Sequence, residues 1–208
     1  MKKKLFIAFE GIDGSGKSTQ VNLLKERLEA TGLKVYTTFE PTDNPIGKMI
    51  REVFSGKMEA DHRVIASLFV ADRLHHLLNK ENGILKKLEE GYAVITDRYY
   101  FSSYAYHAVH MPMDWVIQAN SMSASLLRPD VNIYIDISPE ESMARIQKSR
   151  EVIELYETLD NLKKVKLKYD EAFEHQKSSE NVITVLSEKN AEGTSQEIWE
   201  KLKDQNLV

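Results

Sequence analysis

Residues 10–19 read Glu10-Gly11-Ile12-Asp13-Gly14-Ser15-Gly16-Lys17-Ser18-Thr19, a G-x-x-x-x-G-K-[ST] phosphate loop. Its flanks constrain the fold as much as its letters do. Leu5-Phe6-Ile7-Ala8-Phe9 is a short apolar run of strand character, and Val21, Leu23, Leu24 and Leu28 recur at helical spacing among Gln20, Lys25, Glu26 and Arg27. Strand, glycine loop and helix in that order make a phosphate cradle, not a chance turn. Gly11, Gly14 and Gly16 let backbone N–H groups converge on phosphate oxygens. Lys17 can neutralise β/γ-phosphate charge, the Ser18 hydroxyl can reach Mg²⁺, and the helix N-terminus adds partial positive charge.

Strand-like and helix-like segments alternate along the rest of the chain. Candidate strands are 4–10, 34–39, 92–97, 131–137 and 181–186. Candidate helices are 17–31, 45–55, 62–80, 83–90, 102–109, 114–127, 139–149, 158–177 and 192–204. Alternation of this kind predicts an α/β, three-layer phosphate-loop NTPase fold with a five-stranded parallel sheet flanked by helices. Ligands then lie beyond the carboxyl ends of the strands. With no repeat, low-complexity tract or Pro/Gly-rich linker, 208 residues suit one domain over 1–208.

Composition narrows the function classes. The chain has no cysteine, so a thiol nucleophile, a disulfide framework and a thiolate metal site are excluded, and a reducing cytoplasm is allowed. Its net charge of −4 does not favour nucleic acid, and the lysines of 162–168 alternate with apolar residues as on a solvated helix face. No apolar run reaches the length of a membrane span, and the stretch after Met1-Lys2-Lys3-Lys4 is too short for a signal segment.

A second constellation closes the third strand, where Tyr92-Ala93-Val94-Ile95-Thr96 runs into Asp97-Arg98-Tyr99. An acidic residue at a strand end beside a phosphate loop is the usual partner of Mg²⁺. Arg98 adds a cation that can hold a phosphate through two parallel hydrogen bonds. The pair suits a site where a metal–nucleotide meets a second phosphate; taken alone, it is equally a strand-end salt bridge.

With these residues in view, the chain resembles the thymidylate (dTMP) kinase family, over about 5–175. The phosphate loop with its internal acid, Asp13, is similar to the family's. Glu40-Pro41, followed by Ile46-Gly47 and Arg51, resembles its Glu-Pro turn. Leu68-Phe69-Val70-Ala71-Asp72-Arg73 resembles its Leu-Phe-x-Ala-Asp-Arg helix, and Asp97 to Tyr106 its Asp-Arg-Tyr-x-x-Ser-x-x-Ala-Tyr signature. Arg128-Pro129-Asp130 through Ser138-Pro139-Glu140 and Arg145 resembles its fourth strand and the entry to a lid, here about 147–157.

The resemblance implies phosphoryl transfer from ATP to dTMP, with Mg²⁺ held by Ser18 and Asp97. ATP would lie on Gly11, Ile12, Asp13, Gly14, Ser15, Gly16, Lys17, Ser18 and Thr19, with Arg145 stacked on adenine. For dTMP, Phe69 would stack on thymine and Arg73, one turn on, would donate to a thymine carbonyl. Without the resemblance these two read as a core ring and a surface cation. Tyr106 would pack where a ribose 2′-OH would sit, Ser103 would neighbour the base or phosphate, His107 would contact the base or merely pack, and Glu40-Pro41 would also belong to the dTMP site. Arg98 and Arg51 would bind the acceptor phosphate, and Asp13 would accept from the 3′-OH or orient Arg98.

Some family members carry an arginine directly after the loop's acidic residue, where this chain has Gly14. The transition-state cation would then come from the lid, with Arg150 the leading candidate and Lys148 the second. His62, His75, His76, His107, His110 and His175 do not read as a metal site; they are taken as surface or interface residues. The long helix at 62–80 carries more apolar surface than one stripe needs, so a homodimer through it is expected, as the resemblance also implies. Two competitors remain: a deoxynucleoside or other nucleoside-monophosphate kinase, and a phosphate-loop regulatory module. The first would lack use for a phosphate clamp if its acceptor were a nucleoside; the second would need no acceptor pocket.

Overall fold

Three stretches of the chain are apolar almost without interruption, and they become the sheet's centre. In a computed structural model describing residues 5–149, 155–187 and 190–208, these are β1 (Phe6–Glu10), β3 (Ala93–Asp97) and β4 (Val131–Asp136). They are buried on both faces, as central parallel strands must be. The edge strands β2 (Val35–Phe39) and β5 (Val182–Leu186) are partly exposed. Among the described residues the sheet is five-stranded, in the order β2-β3-β1-β4-β5, with every pairing parallel. The register sets Phe9 opposite both Asp97 and Ile133, so the phosphate loop and the Asp97-Arg98 step leave the sheet side by side.

Alternation along the strands divides the core in two. Leu5, Ile7, Phe9, Ile95 and Ile133 pack under α1 (Lys17–Ala30) and α10 (Ala191–Asp204). Phe6, Ala8, Val94 and Tyr134 face α3 (His62–Leu78), α4 (Ile84–Glu89), α5 (Tyr100–His107) and α9 (Leu159–Gln176). The second layer is rich in rings: Phe101, Tyr134 and Tyr169 all pack on Phe173 at centroid distances of 5.0, 4.9 and 5.7 Å. The remaining helices are α2 (Pro45–Phe54), α6 (Met113–Ala119), α7 (Ser121–Leu126) and α8 (Pro139–Ser149).

The single helix expected over 114–127 is in fact two. It breaks at Asn120, whose Nδ2 donates to the Val116 carbonyl at 2.9 Å while its Oδ1 accepts from Arg73. Asn competes with the helix ladder through its own amide, and here a buried guanidinium rewards that competition. The expected lid over about 147–157 is described only at its ends, the close of α8 and the turn at 155–157; Arg150 lies outside the described residues.

Between β2 and α2 the chain turns sharply through Glu40-Pro41, a cis peptide. Asp72 of α3 fixes the next residue, accepting from the Thr42 N–H at 2.7 Å and the Thr42 hydroxyl at 2.6 Å. Gly47 of α2 presses against this pinned residue. A Cβ there would run into the Thr42 carbonyl oxygen and lie 2.6 Å from its nitrogen. Alanine normally gains about 1 kcal/mol over glycine inside a helix. Here Gly47→Ala is expected to destabilise, by about 1–3 kcal/mol, because the overlap is with held backbone. Urea denaturation of the variant, read as a shift in midpoint, tests this; a stabilised protein would refute it.

Candidate active site

The glycines of the phosphate loop work through close approach. Gly11 has φ 142°, and a Cβ on it would meet the Ile135 carbonyl at 2.7 Å. Gly14 has φ 74° and lies under α8, where a Cβ would meet the Ser142 carbonyl at 2.7 Å. The Ser142 hydroxyl donates to the Asp13 carbonyl, fastening α8 to the loop. Ile12 and Ser15 are buried in the loop's base, Thr19 is exposed at its rim, and Gly16 caps α1. Lys17 reaches back into the cradle, its Nζ 3.0 Å from both the Gly11 and Ile12 carbonyls. Burial, with the nearby Arg98 charge, lowers its ammonium to about 8.

Ser18 and Asp97 meet beside this lysine. The Ser18 hydroxyl donates to Asp97 Oδ2 at 2.6 Å, joining the first turn of α1 to the end of β3. Two oxygen donors at the mouth of a phosphate cradle fit Mg²⁺, which takes few protein ligands and completes its shell with water and phosphate oxygens. Among the described residues no larger His, Asp or Glu cluster offers an alternative metal site. Arg145 of α8 lines the same cleft, of about 470 Å³, and is steadied by Ser187 Oγ at 2.8 Å and Glu141 Oε1 at 2.6 Å.

Arg98 stands where this cleft meets a second one. Its backbone is left-handed, with φ 73°. Its guanidinium donates to Asp13 Oδ1 at 2.6 Å, the Gly11 carbonyl at 3.1 Å and Ser102 Oγ at 2.9 Å. Tyr106 closes the group: its hydroxyl donates to Asp13 Oδ2 at 2.7 Å, and its ring lies 5.0 Å below the guanidinium. Burial raises the Asp13 carboxyl, but the Arg98 and Lys17 charges outweigh it and bring it down to about 2.

The second cleft, of about 270 Å³, is more apolar. Of the residues the resemblance assigns to dTMP, Asp13, Pro41, Arg51, Phe69, Arg98, Ser103, Tyr106 and His107 line it, while Glu40 lines the first cleft. Phe39, Phe54, Ser102 of the Asp-Arg-Tyr signature, and Tyr156 and Glu157 at the end of the expected lid line it too; of these only Phe54 lies outside every segment singled out for the site in the sequence. Phe69 sits between the rings of Phe54 and His107, at 6.0 and 5.1 Å. Arg51 is tied to the Pro41 carbonyl at 2.7 Å and to Asp43 at 2.9 Å.

Arg73 lies behind this wall rather than in it. Only 1% exposed, it spends its five N–H groups on Glu40 (twice), Ser103, Asn120 and the Tyr99 carbonyl. It meets the cleft through Ser103. Glu40 in turn receives His76 Nδ1 at 3.1 Å, and His76 Nε2 is 2.6 Å from Thr38 Oγ1. His76 and His107 are therefore buried elements of the site, which corrects their reading as surface or interface residues. Burial, with the Arg73 charge, drives His107 down to about 3, so it is neutral.

Known proteins share this arrangement's sequence. A family model described as thymidylate kinase matches residues 9–198. The chain belongs to the thymidylate kinase family. A probable thymidylate kinase of Pyrococcus horikoshii is 41% identical over 170 residues, spanning 79% of this chain and 80% of that protein. One from Thermococcus kodakarensis is 38% identical over 193 residues, 88% and 84% of the two chains. One from Methanococcus aeolicus is 36% identical over 209 residues, 98% of each.

Beneath the family's loop lies Glu10, which in the sequence reads only as the last residue of a strand. It accepts from the Tyr99 N–H at 3.0 Å, Ser102 Oγ at 2.5 Å and Tyr169 OH at 3.1 Å. Tyr169 also accepts from the Gly11 N–H at 3.2 Å. The signal available was an acid closing an apolar strand, the same signal that Asp97 gives. Burial pushes the Glu10 carboxyl up to about 7, against the Ser102 bond and the Arg98 charge. The native state therefore keeps this proton after the unfolded chain has lost it near 4.5. The stability this gives is complete below about pH 4.5 and is lost as pH rises through 7. The loss amounts to roughly 3 kcal/mol. The unfolding free energy of the wild type minus that of Glu10→Gln should fall by this amount over that window, measured by urea denaturation. A pH-independent difference would rule it out.

Proposed function

We propose that this protein transfers the γ-phosphoryl group of ATP to dTMP, giving dTDP and ADP. The observation that carries the reading is the junction of the two clefts, which share Asp13, Phe39 and Arg98. A donor phosphate on the loop and an acceptor phosphate on Arg98 would then meet across one guanidinium. Family membership supports a monophosphate acceptor over a nucleoside, and a deep cleft beside the loop argues against a regulatory module.

In this reading Lys17 and the loop N–H groups bind the donor phosphates, with Arg145 over adenine. Bound at Ser18 and Asp97, Mg²⁺ would neutralise phosphate charge during transfer. Arg98 and Arg51 orient the acceptor phosphate, Phe69 and His107 hold the base, and Ser103 presents its hydroxyl there with Arg73 behind it. Glu40-Pro41 closes the acceptor side. Asp13 keeps Arg98 aimed, and Tyr106 fills the space at C2′. Phosphoryl transfer needs little else besides positioning and charge. We further infer a single kinase domain with a short lid, working in the cytoplasm as a homodimer. Exposed Val64 and Leu78 on α3 support the dimer. Among the described residues no helix is long and apolar enough to cross a membrane.

Arg98→Ala should lower kcat/KM for dTMP by about a hundredfold or more, since a charge-aligned donor is lost. A coupled ADP-release assay with dTMP and thymidine tests both the residue and the acceptor. Ready phosphorylation of thymidine but not dTMP would replace the reading with a nucleoside kinase. The transition-state cation is assigned to Arg150. A group that acts only in the transition state affects kcat more than KM. Arg150→Ala is expected to reduce kcat by about ten- to a thousandfold. If Lys148→Ala shows that loss and Arg150→Ala does not, the cation is Lys148.

A further inference from the structure

Two histidines that no motif accounts for meet behind Tyr156, a residue of the acceptor cleft. His62 opens α3, and His110 lies just beyond α5. Their rings are parallel within 3° at a centroid distance of 3.6 Å. Tyr156, from the turn before α9, lies against both, at 5.9 Å from His62 and 5.7 Å from His110. Its hydroxyl is 3.0 Å from His62 Nδ1. Tyr156 is also buried, lines the acceptor cleft, and packs on Phe54 at 5.3 Å and Tyr106 at 6.1 Å. Three segments distant in sequence thus meet, and Tyr156 is the one of the three that lines the cleft, with the two histidines behind it.

We propose that the stacked pair His62–His110 is a positioning device for the phosphoryl-acceptor site, holding Tyr156 against the acceptor nucleotide while both imidazoles are neutral. The role of the cleft rests on the function proposed above. Two parallel imidazoles in van der Waals contact cannot both carry charge without repulsion. Other groups around them also disfavour charge. Lys164 of α9 faces His110, and Arg73 stands behind neutral His107. Asp61, which caps α3 beside His62, already accepts from Arg63, and Asp160 pairs with Lys164. Partial burial, His62 and Lys164 together lower the affinity of His110 for a proton. The arrangement is therefore complete while both rings are neutral and is opposed as protons bind to both at low pH. Tyr156 would then lose its flat support.

The test is steady-state kinetics of the full chain with Mg-ATP and dTMP across pH, on the wild type, His110→Ala and His110→Phe. At high pH His110→Ala should raise KM for dTMP about three- to tenfold, the scale of one lost ring pair, with kcat within about twofold. His110→Phe keeps a flat ring without a charge. It should restore KM and remove the rise in KM that the wild type shows toward low pH. Comparing variant with wild type at each pH cancels titration of the dTMP phosphate. An unchanged KM in His110→Ala, or an acid-side rise that persists in His110→Phe, overturns the proposal. Imidazole NMR titration of the free protein reads the pair without any acceptor. A His110 titration lowered from the ordinary histidine value, and changed by His62→Ala, is expected. Independent titrations overturn the pair. Coupled titrations in a protein that turns over no dTMP would strike the proposed reaction alone.

Discussion

The ion pair between Asp13 and Arg98 is the contact on which the rest of the site depends. It joins the loop after β1 to the turn after β3, at the point where two adjacent parallel strands end. Arg98 takes a left-handed backbone to make it, a conformation costing a non-glycine residue about 1–3 kcal/mol. Its own N–H donates to the Phe9 carbonyl at 2.8 Å, so the turn continues the sheet's hydrogen bonding while its side chain crosses to the loop. The guanidinium thereby aligns with the loop's phosphate-facing surface without any ligand.

Around that pair the chain builds in layers, each of which fixes the next. Glu10 lies beneath, gathering Tyr99, Ser102 and Tyr169, and Ser102 passes the contact on to Arg98. To the side, Asp72 and Arg73, adjacent on α3, grip Thr42 and Glu40 on either side of Pro41. Neighbouring helical residues diverge by about 100°, which lets one short motif hold two points of a turn. Buried pairs of this kind are weak evidence for stability, because desolvation offsets their attraction. Their contribution here is geometric: they set the distance between the Glu-Pro turn, the apolar cleft and the phosphate loop.

Much of this was legible in the sequence, because the features concerned are local. The loop, the strand runs and the helix periodicity arise from backbone and hydrophobic rules that act between near neighbours in the chain. Lys17, Ser18, Asp97, Arg98 and Phe69 were readable for that reason, as motif positions at strand ends or on helices. Partners far apart in the chain could not be read. Glu10 and Tyr169 are 159 residues apart, and His62 and Tyr156 are 94 apart. Arg73 shows the same limit from the other side. Its spacing from Phe69 was readable, but nothing local tells that Glu40 and Asn120 take its donors. Asn120 did carry a local sign, an amide inside a helical pattern, and that sign was overridden by periodicity.

The contact of α8 with the loop has an evolutionary consequence. The Ser142 carbonyl lies so close over Gly14 that no side chain fits there, and the Ser142 hydroxyl holds the two segments together. An arginine introduced at position 14 would have to displace the first turns of α8, and with them Arg145. A cation placed in the loop at position 14 is therefore incompatible with α8 as it packs here, so that change needs a second one in the helix.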